Sequence, residues 1–368
     1  MSSNSNVAEA DFESGKPQDI RKTHIHPDFW YPVSQASKLK KNKPLGVSFA
    51  GNPIVLVRTA SNSVFALEDR CAHRQVPLSV GEVQGELLRC GYHCWTYDKT
   101  GSCVNVPYLD KDKQLPTGVR SYPCKEEYGL IFIFPGDPAK ADSVPMPDIP
   151  TWQRDDYKTR YLDRQVKCHY SFMHENLMDM NHQFLHRRLM GSIRTVFLSK
   201  DKDKDWVECE YTFARAAGKQ HIGEKLIIRR DTSVDNTKKE GDERDLMVIR
   251  TQYPYQTLTF TAGGSKEPEL SLFNVYIPID KEQRVCHTFG LMMFKRPEKF
   301  PWLMEVFWPA IIWFTEGIFK EDRDIVELEQ RAFDAQGEDL NQEIFPIIQD
   351  LRTVLRTNGV DASEMFEK

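Results

Sequence analysis

Two short runs restrict this chain more than anything else in it: CAHR at 71–74 and CGYHCW at 90–95. Each carries one cysteine and one histidine, Cys71 with His73 as CxH and Cys90 with His93 as CxxH. Side chains so close in sequence grip a common metal group only where the backbone turns sharply, so each run is expected at the tip of a tight loop. A rigid scaffold must then hold the two tips face to face. The flanking sequence offers one. FWYPV, GVSFAGNPIVLVRT and SVFALED alternate apolar and β-branched residues between Gly, Asn and Pro, the pattern of a small antiparallel domain. The turn residues Lys99-Thr100-Gly101 follow the second run, and KLKKNK at 38–43 reads as a solvated loop.

The mixture of ligand types narrows the chemistry. A structural zinc site usually groups two Cys in one knuckle and two His in another, or uses four Cys. A Rieske [2Fe–2S] centre has two thiolates on one iron and two imidazoles on the other, so two loops of Cys plus His give each iron one ligand per loop. The Rieske reading is favoured, and zinc stays open at this point. Six further cysteines (Cys94, Cys103, Cys124, Cys168, Cys209 and Cys286) show no partner spacing and read as core thiols. Met1 to Asp19 is polar and lacks the layout of a signal peptide. Residues 1–28 are read as a disordered lead-in, the protein as cytoplasmic, and its cysteines as reduced.

A second motif lies downstream, ENLMDMNHQFLH at 175–186. On a helix, Glu175, Asn176, Asp179, His182 and His186 crowd one side, with the two histidines one above the other. Two histidines and one carboxylate on a single face of a metal form the non-haem iron arrangement with open positions for dioxygen and substrate. The carboxylate must come from elsewhere in the chain. A lone HxxxH is weak, and the cysteine–histidine motif upstream is what gives it weight.

The 368 residues allow two domains, and a net charge of −5 without a basic stripe argues against nucleic acid. GLIFIFPGD reads as the last strand of the first domain, with a proline-rich crossing at 138–150. Strands are expected at WVECEYTFAR, KLIIRRDT, LMVIRTQYP, QTLTFTAGG, SLFNVYIPID and VCHTFGLMMFKR, making one large antiparallel sheet with helices at its start and end, an α+β layout. The charge runs at 200–205 and 238–245 read as exposed loops. Residues 300–319 are the most apolar stretch, interrupted by Pro301, Glu305, Pro309 and Glu316. They read as buried core or a pocket roof, with a lid or a weak membrane-surface contact as the alternative. KEDRDIVELEQ follows as an acidic helix, and the tail at 344–359 repeats apolar residues at helical spacing.

Taken in this order, WYPV, CAHR with PLSVGEV behind it, CGYHCWTYDKTGSCVNVP and ENLMD with its two histidines resemble the catalytic (alpha) subunit of Rieske non-haem iron oxygenases, from Phe29 to the mid-350s. The wording NLMD is most similar to the monooxygenase and O-demethylase type. The resemblance implies an all-β Rieske domain at 29–140 and a helix-grip (START-like) catalytic domain at 141–368. It implies a [2Fe–2S] cluster with Cys71 and Cys90 on one iron and His73 and His93 on the other. It also implies a mononuclear Fe(II) held by His182, His186 and Asp322, where Asp322 is chosen because Glu327 and Gln330 follow it; Asp324 is the alternative. Asp179 would bridge His182 to His93 of a neighbouring subunit as an electron relay, Asn176 would lie beside the iron, and the active unit would be a homotrimer. Two positions depart from the family's usual residues: Gly91 stands where Pro is common and Cys94 where Gly is.

With no GxGxxG fingerprint in the sequence, NAD(P)H would be used by a separate reductase or through a ferredoxin. The implied reaction is hydroxylation or oxidative demethylation, with O2, of an apolar, ring-containing small molecule. Phe197, Phe260, Phe273, Met292, Met293, Phe294 and Trp313 fit such a pocket and fit core equally well. The competing readings are an electron-transfer or regulatory protein with an inactive mononuclear site, and a zinc-stabilised binding module.

Overall fold

In the computed structural model of the chain, residues 19–191, 193–215 and 241–365 are described. The first domain is built from short strands in three small sheets. Leu45–Phe49, Asn52–Arg58, Val64–Glu68 and Ser121–Tyr122 form one; Glu82–Gln84, Leu87–Arg89, Thr96–Tyr97 and Cys103–Asn105 a second; Tyr31–Gln35, Leu130–Ile133 and Cys124–Glu127 a third. The alternation in GVSFAGNPIVLVRT becomes a hairpin with Phe49 opposite Asn52. Its two-residue turn, Ala50 and Gly51, has φ of +46° and +81°, the mirror-image turn that matches strand twist.

The second domain is a seven-stranded antiparallel sheet. Its order is Tyr157–Val166, Cys286–Lys295, Leu270–Pro278, Tyr255–Thr261, Leu246–Gln252, Trp206–Arg215 and Ile193–Lys202. The strand expected at KLIIRRDT lies outside the described residues, as does part of the charge run at 238–245. Two strands were not expected. YKTRYLDRQV hides its alternation because Arg160 is an inward residue, buried and hydrogen-bonded to Thr315. Ile193–Lys202 is one of the two edge strands and runs into the charge run read as loop, so that 200–202 are strand. Only one side of an edge strand needs partners, which leaves its sequence free to be polar.

Three helices cover this sheet: α1 (Tyr170–Met178), α2 (Leu303–Gln336) and α3 (Pro346–Asn358). The tail helix packs as its spacing predicts, with Ile347, Ile348, Leu351, Val354 and Leu355 buried. The apolar stretch 300–319 runs from the turn before α2 through its first half rather than forming a separate element. Met304, Ile311, Phe314 and Thr315 are buried, whereas Phe300, Trp302, Val306, Phe307 and Trp313 face outward, Trp313 at 68% exposure. Among the described residues no helix is long and apolar enough to cross a membrane.

The two domains share one hydrophobic core, which runs from Trp30 and Phe132 to Tyr276 and Phe289. Backbone bonds cross between them, Ala50 N to Pro278 O at 2.7 Å and Gly51 N to Ile279 O at 3.1 Å, and Tyr255 OH donates to Trp30 O. The lead-in needs correcting where it is described. Ile20 and Ile25 are buried, and Ile20–Lys22 forms one 3₁₀ turn. Arg21 inserts over the ring of Phe172 and makes paired 2.9 Å bonds to Glu175. Residues 1–18 of that expectation lie outside the described residues.

Candidate metal centres

Both cysteine–histidine runs are loop tips. Backbone bonds from Cys71 N to Val76 O, Gln75 N to Cys71 O and Cys90 N to Trp95 O close them. The loops bring Cys71 beside Cys90 and His73 beside His93, with the sulfurs buried and the rings half-buried. Cys71 and Cys90 are buried in the domain's second core cluster. The His73 and His93 rings lie with centroids 4.6 Å apart and are half-buried. Burial pushes the Cys90 thiol up, and the neighbouring Cys71 adds to the shift; a cation is what would release such protons. His73 Nδ1 is buried without a hydrogen-bond partner among the described residues, as a metal-binding nitrogen would be.

Three neighbours were not legible beforehand. Trp95 stacks on His73 at 4.8 Å, Tyr97 OH lies 3.2 Å from Cys71 Sγ, and the Tyr92 ring covers that of His93. Cys94 has φ of +58°, a conformation that suits glycine and strains a residue with a Cβ. All eight cysteines are free, and Cys94, like Cys124, is half-buried rather than a fully enclosed core thiol.

The second group forms differently from expectation. ENLMDMNHQFLH is not one helix. α1 ends at Met178, Asp179 leaves the helical region (φ −85°, ψ 90°), and its carboxylate accepts from Asn181 N at 2.9 Å, capping a 3₁₀ turn over Met180–Phe184. A short Asp side chain competes well for a freed backbone N–H, which is why the break falls there. The histidines still meet, ring centroids 5.1 Å apart and perpendicular.

Asp322 comes from the middle of α2, not from a helix start. α2 is docked beside α1 by Gln330, which accepts from His169 N at 2.8 Å, and by Glu327, which accepts from Lys167 N at 3.1 Å. One ligand atom each from His182, His186 and Asp322 lies within 4.8 Å of the others. Asp322 Oδ1 is 3.1 Å from His186 Nε2, 3.7 Å from His182 Nε2, and accepts from Asn176 Nδ2 at 3.1 Å. Burial raises the Asp322 carboxyl, and the bond from His186 and the nearby imidazoles outweigh it, so the group is held below the usual range.

The outer nitrogens of both rings are tied. His186 Nδ1 lies 2.9 Å from Glu321 Oε2, and His182 Nδ1 is 2.6 Å from the Asp179 backbone carbonyl. That leaves each Nε2 facing Asp322, with the buried His186 Nε2 3.1 Å from its Oδ1. Such a donor set fits a divalent iron. Asp324 points elsewhere, paired with Lys320 and Arg323. Glu175 is a half-buried anchor held by Arg21 and by Arg352 at 2.9 and 3.0 Å.

Beside Asp322 opens a narrow cavity. Leu162, Val166, Met173, Leu177, Leu272 and Phe319 supply most of its wall, with Asn176, Asn274 and Thr288 among the polar members. None of the seven apolar residues singled out above lines it. Phe260, Phe273, Met292, Met293 and Phe294 are core, and Trp313 is exposed.

A β domain with mixed thiolate and imidazole loops, followed by an antiparallel-sheet domain with a two-His, one-Asp group at an apolar cavity, defines a class: iron–sulfur oxygenases with a second, mononuclear iron. The pattern of the Rieske [2Fe-2S] domain matches residues 29–123, and that of the vanillate O-demethylase oxygenase C-terminal domain matches residues 166–347. A 4β-methylsterol monooxygenase of Methylococcus capsulatus is 32% identical over 356 residues, 91% of this chain and 89% of the relative. The oxygenase component of dicamba O-demethylase from Stenotrophomonas maltophilia is 38% identical over 159 residues, 43% of this chain and 47% of the relative. The fold is similar to that of dicamba monooxygenase bound to 3,6-dichlorosalicylic acid, with a TM-score of 0.72, 24% identity, and coverage of 91% of this chain and 97% of that one. The chain belongs to the Rieske non-haem iron oxygenases. It is an oxidoreductase whose cofactors are a [2Fe–2S] cluster and a mononuclear iron.

Proposed function

We propose that this chain is the terminal oxygenase of a system that hydroxylates or oxidatively demethylates an apolar, ring-containing small molecule. Electrons come from a separate NAD(P)H-dependent reductase, directly or through a ferredoxin. The observation that carries the reading is the convergence of His182 and His186 on Asp322, which lines a largely apolar cavity. These three hold the iron; Cys71, Cys90, His73 and His93 hold the cluster. When bound, the cluster would supply single electrons and the iron would supply open positions for dioxygen beside the substrate.

The remaining roles belong to this chain's own side chains. Glu321 and the Asp179 carbonyl hold the outer ring nitrogens, which fixes both imidazoles with Nε2 inward. Asn176 steadies Asp322 Oδ1. Leu162, Met173, Leu177 and Phe319 exclude water and press the substrate toward the ion. Asp179 is the relay: with its backbone oxygen on His182 and one carboxylate oxygen on Asn181, the half-buried carboxylate remains available to the half-buried ring of His93 in a second copy. Buried sulfurs and half-buried imidazoles favour electron exit through the histidine side. This arrangement calls for a closed ring, a homotrimer working in the cytoplasm.

The test is anaerobic reconstitution with iron and sulfide, reduction, and one pulse of O2 with metal analysis. The expected protein holds three irons per chain and reoxidises its cluster with uptake of O2. A protein that holds zinc, or whose reduced cluster is indifferent to the second metal, contradicts the proposal.

A further inference from the structure

Three neighbouring strands form one wall of the cavity. Their register puts Leu162, Gly290 and Asn274 in one row and Arg164, Thr288 and Tyr276 in the next. The two cations on this lining are already engaged: Arg164 bonds Glu316 and lies over Phe319, and Arg323 reaches Asp324. Two neutral polar atoms are not. Asn274 Oδ1 and Thr288 Oγ1 are buried and have no hydrogen-bond partner among the described residues, a state that buried polar groups seldom keep.

A chain of bonds fixes which end of the Asn274 amide is left over. The His174 carbonyl can only accept, so the Gln256 atom 2.9 Å from it is the NH2 group. Gln256 Oε1 therefore accepts from Tyr276 OH, at 2.9 Å. Tyr276 has then used its only proton and accepts from Asn274 Nδ2 at 3.2 Å. Oδ1 remains, an acceptor facing no donor. Gly290 makes its place, since a Cβ there would lie 2.3 Å from Oδ1. Thr288, one row away, can donate or accept.

We infer that Asn274 and Thr288 read a neutral hydrogen-bond donor, a hydroxyl group, on an otherwise apolar substrate. The inference rests on the oxygenase reading of this cavity and adds a substrate class to it. A carboxylate or sulfonate is disfavoured, because its lone pairs would meet the fixed Asn274 oxygen while both arginines are paired with acids. An ether of the same shape would leave Oδ1 unpaired. Sites built to bond a hydroxyl discriminate strongly against analogues that lack it.

The probes are 2-naphthol, 2-methoxynaphthalene and 2-naphthoate, bound anaerobically to the iron- and cluster-loaded protein and followed by naphthalene fluorescence. The alcohol is expected to bind at least about tenfold tighter than the ether, with the acid weakest. Asn274→Leu removes the preference. Tyr276→Phe, nearly isosteric, frees the amide to turn, so it lowers the preference for alcohol and improves binding of the acid. Failure of the alcohol to outbind the ether, whether both bind or neither does, overturns the inference, as does an unchanged preference in both Tyr276→Phe and Thr288→Val. Oxygen uptake by the reduced protein separates the two readings. Uptake without discrimination removes the hydroxyl assignment alone, and discrimination without uptake, both metals present, removes the oxygenase reading alone.

Discussion

The cluster loops and the iron group solve the same problem, holding metal ligands still, by opposite routes. In the first domain every ligand lies within two loops of a few residues each, and local backbone turns do the work. In the second, His182 and His186 lie on an irregular turn while Asp322 arrives from a helix far along the chain, held in place by Gln330, Glu327 and the sheet beneath. A local site tolerates changes in distant packing. A site assembled from remote elements is only as firm as the contacts that dock them, so the iron group should be the more easily lost of the two.

Replacement of Asp322 by Ala gives the sharpest break. It is expected to abolish turnover and mononuclear iron while leaving the cluster's visible spectrum, and Cys90→Ser should do the reverse; metal analysis with absorption spectra checks both. Parallel loss of both metals in either variant would mean that the sites are not independent.

Glu175→Gln tests the docking contacts. It leaves Arg21 and Arg352 facing a neutral group in a buried setting, and such losses cost ~3–5 kcal/mol, read as a fall in denaturation midpoint. Burial alone would raise the Glu175 carboxyl, but the two guanidinium groups hold it below its ordinary value of 4.5. The stabilisation is thus fully present above that pH and drains away as pH falls beneath it. The Gln variant lacks this pH-dependent part, so its stability deficit against the parent chain is expected to shrink as pH falls below that value.

Glu321→Gln weakens the support of His186 without removing a ligand. Mononuclear iron affinity is expected to fall by about 10–100-fold, measured by competition with a chelator, with the cluster untouched. The smallest effect belongs to the local site. Cys94→Gly relieves the strain at φ +58°, and after the added chain entropy of glycine the net gain is up to ~1 kcal/mol. A loss of stability there would show that the Cys94 side chain packs usefully.

The same contrast explains what the sequence made readable. That Cys71 would meet Cys90 and His73 meet His93 was legible because the spacing within each run is itself the local structure. For the iron group the residue types were legible but not their setting. The helix expected across 175–186 breaks because Asp179 caps the next turn, and helical spacing contains no term for a side chain that prefers the freed N–H groups. The strand Tyr157–Val166 escaped because a buried Arg160 breaks the alternation, and Glu175 escaped because its partners Arg21 and Arg352 lie at opposite ends of the chain. Asn274, Thr288 and Tyr276 gave no signal at all: their meaning lies in the register of three strands.

The central claim is that the cluster of one copy serves the iron of another. Co-expression of a Cys90→Ser chain with an Asp322→Ala chain, each inactive alone, tests it directly through oxygen uptake by the purified mixed oligomer. The account predicts that activity returns, in proportion to the share of neighbouring pairs that unite an intact cluster with an intact iron site. Mixed oligomers that form with the full metal complement of each intact site and still take up no oxygen would contradict it.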